Sequence, residues 1–398
     1  MKTFPRFSSF FWAGYECTYA LTEAGDRLDM LSVSRHDEYC RIDYNLIKEL
    51  GITTVREGLS WSEIDKGDGV YDFSRFEKMM ETGKEEGIQQ IWDLNHFDYP
   101  EDISVFTKEF VQRFAHYAQA TVTLIRKYQK NILYIVPINE ISFFSWIAAD
   151  QGKWAPYLHG SSNGLKFKQQ LVRASIAAMK AICDIDSDVR FIHTDPFMNR
   201  VALEPANATA IKHTNQFNNI IRYEAWDMIS GKTFPELGGH PKYLDIIGIN
   251  YYFHNQEFVI SEGKRKISHK AMEWESPSRI PFWHMIEFVH ERYQRPIVIS
   301  ETGSYEDLRY TWWSRTLSEI KVGLEKGLPI AGVCAYPTVD RPNAINYLLR
   351  RSGLWDFEDD DPKLVRIPHQ KSIDVIKQFI NTTSPDSVSL NLKEHQQL

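Results

Sequence analysis

The sequence predicts an α/β protein folded as a single (β/α)8 TIM barrel, on three observations. Short runs of β-branched and apolar residues recur along the 398 residues, each followed by a segment whose apolar positions have helical spacing. No shift of composition divides the chain, so one closed barrel of parallel strands accounts for the alternation better than an open doubly wound sheet. Two of the runs lead into a glutamate, Ile138-Asn139-Glu140 and Ile299-Ser300-Glu301, which places an acid at the carboxyl end of a buried strand.

The elements follow in order. Phe10 to Glu16 reads as the first strand; after a polar loop through Arg35, a helix starts near Arg41, with Ile42, Leu46, Ile47 and Leu50 on one stripe and Gly51 as its stop. Thr53 to Gly58 is the second strand, with a helix over Arg75 to Glu86. Ile88 to His96 is the third, and its helix, Thr107 to Lys127, carries Phe110, Phe114, Tyr117, Val122 and Ile125 on an apolar face. Ile132 to Ile138 delivers Glu140, and a longer loop precedes the helix Lys166 to Cys183. Val189 to His193 is the fifth strand, with a helical segment around Ile220 to Ile229, and Leu244 to Asn250 is the sixth. A basic and polar excursion, Glu262 to Pro277, precedes the helix Phe282 to Tyr293. The seventh strand delivers Glu301, and the helix Thr311 to Lys326 leads to the eighth strand, Ile330 to Tyr336. A last helix near Ile373 to Ile380 closes the outer ring, so residues 1–380 form the barrel domain and 381–398 a polar C-terminal tail.

Composition narrows the function. With 43% hydrophobic and 25% charged residues the chain can bury a large core in water. The formal net charge of -7, with no basic run longer than Gly263-Lys264-Arg265-Lys266, argues against a nucleic-acid partner. No apolar run is long enough for a membrane span and the first residues lack a leader pattern, which predicts no membrane association and a cytoplasmic protein. Cys17, Cys40, Cys183 and Cys334 show no CxxC pairing, so neither a zinc site nor a disulfide framework is expected, and the compartment reads as reducing. No GxGxxG or GxxxxGK follows the first strand, which removes the usual nucleotide signals. Aromatic residues make up 13%, and several stand beside strand ends, where they could stack on the C–H faces of sugar rings. A small carbohydrate or glycoside is the predicted partner; oligomeric state is not legible.

A glutamate at a strand end is costly when dry and unpaired. Glycoside hydrolysis uses two: one carboxyl protonates the leaving oxygen while the other attacks the anomeric carbon or activates water, and different environments hold their pKa values apart. Barrel chemistry gathers at the carboxyl ends of the strands. There the chain offers Glu16, Arg56, His96 and Asp98, Asn139 and Glu140, Asn250 and Tyr252, Glu301, and Tyr336.

This set resembles the family 1 glycoside hydrolases and their wider clan of retaining barrel glycosidases, through five stretches in family order. These are Val55-Arg56-Glu57-Gly58-Leu59-Ser60-Trp61-Ser62-Glu63-Ile64, Asn95-His96-Phe97-Asp98-Tyr99-Pro100, Asn139-Glu140, Ile247-Gly248-Ile249-Asn250-Tyr251-Tyr252 and Ser300-Glu301-Thr302-Gly303. The resemblance implies a retaining β-glycosidase needing no metal or organic cofactor. Glu301 would be its nucleophile, supported by Arg56 and the Tyr252 hydroxyl, and Glu140 its acid/base, with the carboxyls about 5 to 5.5 Å apart. Glu16, His96, Asn139, Tyr252 and Tyr336 would bind substrate, Asn139 at the sugar 2-hydroxyl, while Asp98 reads as a turn residue. A non-catalytic carbohydrate-binding barrel and a transglycosidase with the same carboxylates remain alternatives.

Structural readings also stand beside these roles. Arg56 could form a structural ion pair with Glu57 or another acid, His96 could be a satisfied core histidine or loop donor, and Tyr336 could pack the mouth. Two departures from the family bear on specificity. After the eighth strand the family has a Trp and then a loop supplying Glu and Trp to sugar hydroxyls, whereas this chain has Tyr336, with Asn343 and Ala344 at the loop positions. At the first strand the family presents Gln, and this chain presents Glu16. That acid is expected either to favour an amino or otherwise modified sugar or to pair with a loop arginine such as Arg27 or Arg35.

Overall fold

The alternating runs close on themselves. In a computed structural model, which describes residues 3–262, 266–342, 349–358, 361 and 363–383, the barrel strands are β1 (Phe11–Gly14), β2 (Thr54–Gly58), β3 (Gln89–Asp93), β4 (Tyr134–Val136), β5 (Arg190–Pro196), β6 (Ile246–Tyr251), β7 (Ile297–Thr302) and β8 (Ile330–Ala335). Each is parallel to the next in sequence, and β8 pairs with β1. Around them run α1 (His36–Lys48), α2 (Ser74–Glu85), α3 (Lys108–Tyr128), α4 (Ser161–Ile185), α5 (Glu224–Ser230), α6 (Phe282–Tyr293), α7 (Leu308–Glu325) and α8 (Gln370–Thr382). Such crossovers bury both faces of a parallel sheet, which is why the strands read as near-continuous apolar runs.

Three expectations need correction. Helix α1 starts at His36, ahead of Arg41, where Asp37 and Glu38 meet the positive end of the helix dipole. Part of the polar excursion at 262–277 is β structure: Gln256–Glu262 and Lys266–Ala271 form an antiparallel hairpin, joined by Asn199–Ala202 into a small sheet outside the barrel. Its last strand is an edge with mostly accessible side chains, and an edge carrying charge hides its period-two pattern. Asn381 and Thr382 belong to α8, not to a tail, and residues 384–398 lie outside the described residues.

Strand alternation divides the barrel interior into two layers. Towards the amino-terminal end Trp12, Ile91, Tyr134, Val136, Ile192, Ile246 and Val298 pack together, with the Phe7 ring 4.3 Å from both Trp12 and Tyr134. Above them the same strands turn in Arg56, Asp93, Thr194, Asn250 and Ser300. Strict alternation would send Glu301 outward, because Val298 and Ser300 already face in. The register of β7 against β6 shifts between Ile299 and Glu301, and a shift against β8 falls between Ile299 and Thr302. This bulge re-aims Glu301 into the barrel beside Ser300.

Glu57 points the other way, into the layer behind β2, where it accepts bonds from Tyr44 (2.7 Å) and meets His36 Nε2 (3.1 Å), while His36 Nδ1 meets Asp43 at 2.7 Å. Burial opposes charging His36, but Glu57 and Asp43 outweigh it and raise its pKa to about 9. A folded-state value above the unfolded 6.5 adds stability that is complete below 6.5 and is lost as pH rises through about 9. Thermal melting of the native chain should therefore show a falling midpoint across that window, and His36→Gln should flatten this slope.

Candidate active site

Arg56 is the centre of the upper layer. Its side chain is 1% exposed, and a guanidinium so buried must spend its donors. Nε and Nη2 bond the two oxygens of Asp93 (3.0 and 2.6 Å), Nη1 bonds Glu301 Oε1 (2.7 Å) and the Ser300 carbonyl (3.0 Å), and Nη2 also reaches Asn139 Oδ1 (2.8 Å). A pair with Glu57 is thus excluded, because neighbouring residues of a strand face opposite sides, while the pair with another acid is present as Asp93. The second oxygen of Glu301 accepts from the Tyr252 hydroxyl at 2.8 Å.

Glu140 caps the short helix Ile141–Ser145 in the left-handed region, with φ 43° and ψ 57°. A non-glycine residue there carries strain that the surroundings must hold. Its backbone N–H bonds the Thr194 carbonyl (3.1 Å), and Asp195 accepts from Ser142 N (3.0 Å) at the start of the next turn. Among the described residues the carboxyl accepts one bond, from Asn250 Nδ2 at 2.8 Å. Ser300 Oγ donates to Asn250 Oδ1 (2.6 Å), which fixes that amide with its nitrogen towards Glu140. Burial first, then the charge of Glu301, pushes the Glu140 pKa well above the usual carboxylate range.

Asn139 Oδ1 accepts from Arg56 and from Thr194 Oγ1 (2.7 Å), so its Nδ2 donates to His96 Nε2 at 3.1 Å. His96 Nδ1 in turn faces Asp93 Oδ2 at 3.0 Å and Cys17 Sγ at 3.2 Å. The turn carrying His96 is built by Asn95, whose Oδ1 accepts from Phe97 N and Asp98 N, and the Asp98 carboxylate accepts from Ser62 N in the first turn of the short helix Trp61–Ile64. The Tyr336 ring is 2% exposed and lies parallel to His96, 6.1 Å away, with the Arg56 guanidinium 5.3 Å from its centroid.

Glu16 also lines this region, but its partner is neither Arg27 nor Arg35. Arg27 pairs with Glu101 and Arg35 with Glu38, whereas Glu16 Oε2 lies 2.7 Å from Nε of Arg341, just beyond β8. Its Oε1 accepts from Thr18 N (3.1 Å) and Thr18 Oγ1 (2.6 Å). Burial works to raise the Glu16 pKa, but Arg341, His96 and Thr18 together leave it lowered. Asn343 and Ala344 lie outside the described residues.

Ligand atoms of Cys17, Asp93 and His96 lie within 4.8 Å of one another, close enough for a shared cation. Both Asp93 oxygens are engaged by Arg56, however, and burial with the charges of Asp93 and Glu16 pushes the Cys17 thiol up, away from the thiolate a metal needs. The trio reads as hydrogen-bonded wall. Sequence reasoning gave no role to Asp93, Thr194 or Arg341. Asp93 and Thr194 carried a signal, an inward polar residue in the upper turn of a barrel strand; Arg341 carried none.

A (β/α)8 barrel holding two unlike carboxyls and a dense polar floor at its carboxyl-terminal end is the architecture of a glycosidase. Residues 19–238 match Glycosyl hydrolase family 1, and the chain belongs to that family. Among solved structures it is similar to a β-glucosidase from Thermotoga maritima in complex with deoxynojirimycin, at 16% identity and a TM-score of 0.78 over 96% of this chain and 100% of that one. It is also similar to a β-glycosidase from Pyrococcus horikoshii, at 16% identity and a TM-score of 0.76 over 97% of each chain.

One electrostatic consequence is measurable. Replacing Glu301 by Gln removes a negative neighbour, so the Glu140 titration should move down while staying above an exposed glutamate, because burial persists. Carboxyl-labelled NMR of native and E301Q protein reads the shift directly; no movement would mean that the two groups are not coupled.

Proposed function

We propose that the protein is a retaining glycosidase acting on a β-linked glycoside, with Glu301 as nucleophile and Glu140 as acid/base. The carrying observation is the difference between the two carboxyls. Arg56 and Tyr252 both donate to Glu301, whereas Glu140 has, among the described residues, one amide donor and a pKa pushed well up by burial and by the charge of Glu301, which favours its protonated form. Similar folds that hold sugar-like inhibitors, such as the Thermotoga maritima enzyme with deoxynojirimycin, support a small carbohydrate ligand.

In the first step a Glu301 oxygen bonds to the anomeric carbon as the bond from that carbon to the leaving oxygen breaks. The Glu140 proton passes to that oxygen. Glu140, now a carboxylate, takes a proton from water, whose oxygen displaces Glu301 and restores both groups. Asn139, gripped by Arg56 and Thr194, would present its amide to the sugar 2-hydroxyl, with His96 and Tyr336 forming the adjoining wall.

A 2-fluoro aryl glycoside with an activated leaving group should add one glycosyl mass to the peptide containing Glu301. E301Q should turn over more slowly by a factor on the order of 10⁴. E140Q should lose far more activity on alkyl than on activated aryl glycosides, because a good leaving group needs little protonation. Absence of the adduct across a broad panel of sugars, with the protein folded, would favour a carbohydrate-binding barrel without turnover.

A further inference from the structure

Alternation in β5 turns Ile192 and Thr194 into the barrel and sends Asp195 out towards the helices that cover the strand. Asp195 is 2% exposed and stands behind the turn that carries Glu140. The Thr194 carbonyl receives the Glu140 N–H (3.1 Å), and the Asp195 carboxylate receives the Ser142 N–H (3.0 Å) in the first turn of Ile141–Ser145. Two consecutive residues of β5 thus grip the backbone on both sides of Ile141, next to the left-handed conformation of Glu140.

A carboxylate is a costly acceptor for that one bond. The charged groups facing it are Lys168 on α4, Glu224 on α5 and Glu140 itself. Lys168 is paired with Glu224 at 2.7 Å, so its charge is largely cancelled before it reaches Asp195. Burial raises the Asp195 pKa to about 6, although the bonds from Ser142 and the charge of Lys168 oppose the rise, so the group is mostly a carboxylate at pH 7 and above. Asparagine would accept the same N–H without burying a charge, and a purely structural cap therefore does not account for the acid.

We infer that Asp195 is a positioning residue for the proposed acid/base: from behind the backbone it fixes the direction in which Glu140 presents its carboxyl, and its negative charge opposes a second one there. This rests on the glycosidase reading above. Glu140 then meets two anions, Glu301 in the mouth and Asp195 behind, while Arg56 is engaged by Asp93 and Glu301. Both anions favour the protonated form that a leaving group needs. Their roles separate in time. Once Glu301 is an ester its charge is gone, whereas Asp195 keeps its own and leaves Glu140 basic enough to take the proton from water.

D195N and D195S both remove the charge, but only the first keeps an acceptor within reach of Ser142 N. Thermal melting identifies the folded variants, and the alkaline limb of kcat/KM, which reports loss of the Glu140 proton, is read in each. That limb should move to lower pH by about half a unit to one unit in both. Below the limb D195S should lose about 10- to 100-fold on alkyl glycosides, where the acid must be aimed, and far less on activated aryl ones, whereas D195N keeps most of its activity on either. Carboxyl-labelled NMR of D195N should show the Glu140 titration moving down with the limb. A limb and a titration that stay in place in the folded variants, or losses equal for both leaving groups at every pH, overturn the inference while labelling of Glu301 still upholds the mechanism; failure of all labelling overturns both.

Discussion

One buried guanidinium ties this barrel to its chemistry. Arg56 projects from β2, yet its bonds reach β3 through Asp93, β7 through Glu301 and the Ser300 carbonyl, and the turn after β4 through Asn139. A charge this deep is tolerable only when every donor finds an acceptor, and removing one partner of such a pair commonly costs about 3 to 5 kcal/mol. Its acceptors are therefore held as tightly as it is. The requirement that stabilises the upper layer also orients the proposed nucleophile and the amide beside it.

That constraint explains local irregularities which would otherwise read as defects. The bulge in β7 turns Glu301 inward against the alternation of its strand, and the left-handed backbone of Glu140 starts a helix without a side-chain cap. Both depart from the regular path at the carboxyl end of a strand, and both are held by bonds to neighbouring strands: Arg56 and Tyr252 for the first, the Thr194 carbonyl for the second. A further register shift, of β7 against β8 between Ile297 and Val298, lies lower, in the apolar layer that Phe7 closes.

The sequence made the barrel legible because parallel strands buried on both faces announce themselves as apolar runs, and helix α6 was readable to its ends. The side hairpin was not, since charge on an edge strand masks its period. The same contrast holds at the site. Glu140, Glu301, Arg56 and Tyr252 belong to compact local motifs, so their meeting could be anticipated strand by strand. The contact between Glu16 and Arg341 could not, because it joins the end of β1 to a segment after β8, and no local pattern records which arginine a loop brings back.

The asymmetry between the two acids follows from the network. Arg56 is shared by Asp93, Glu301 and Asn139, so its charge is largely spent before it reaches Glu140, whose direct donor is the neutral Asn250 amide. Asn250 cannot turn to offer more, because Ser300 Oγ donates to its carbonyl, and Ser300 is the neighbour that shares the bulge with Glu301. The feature that brings one carboxylate to the guanidinium thus fixes the amide that leaves the other acid buried beside a negative charge. Burial and that charge both favour the protonated form of Glu140.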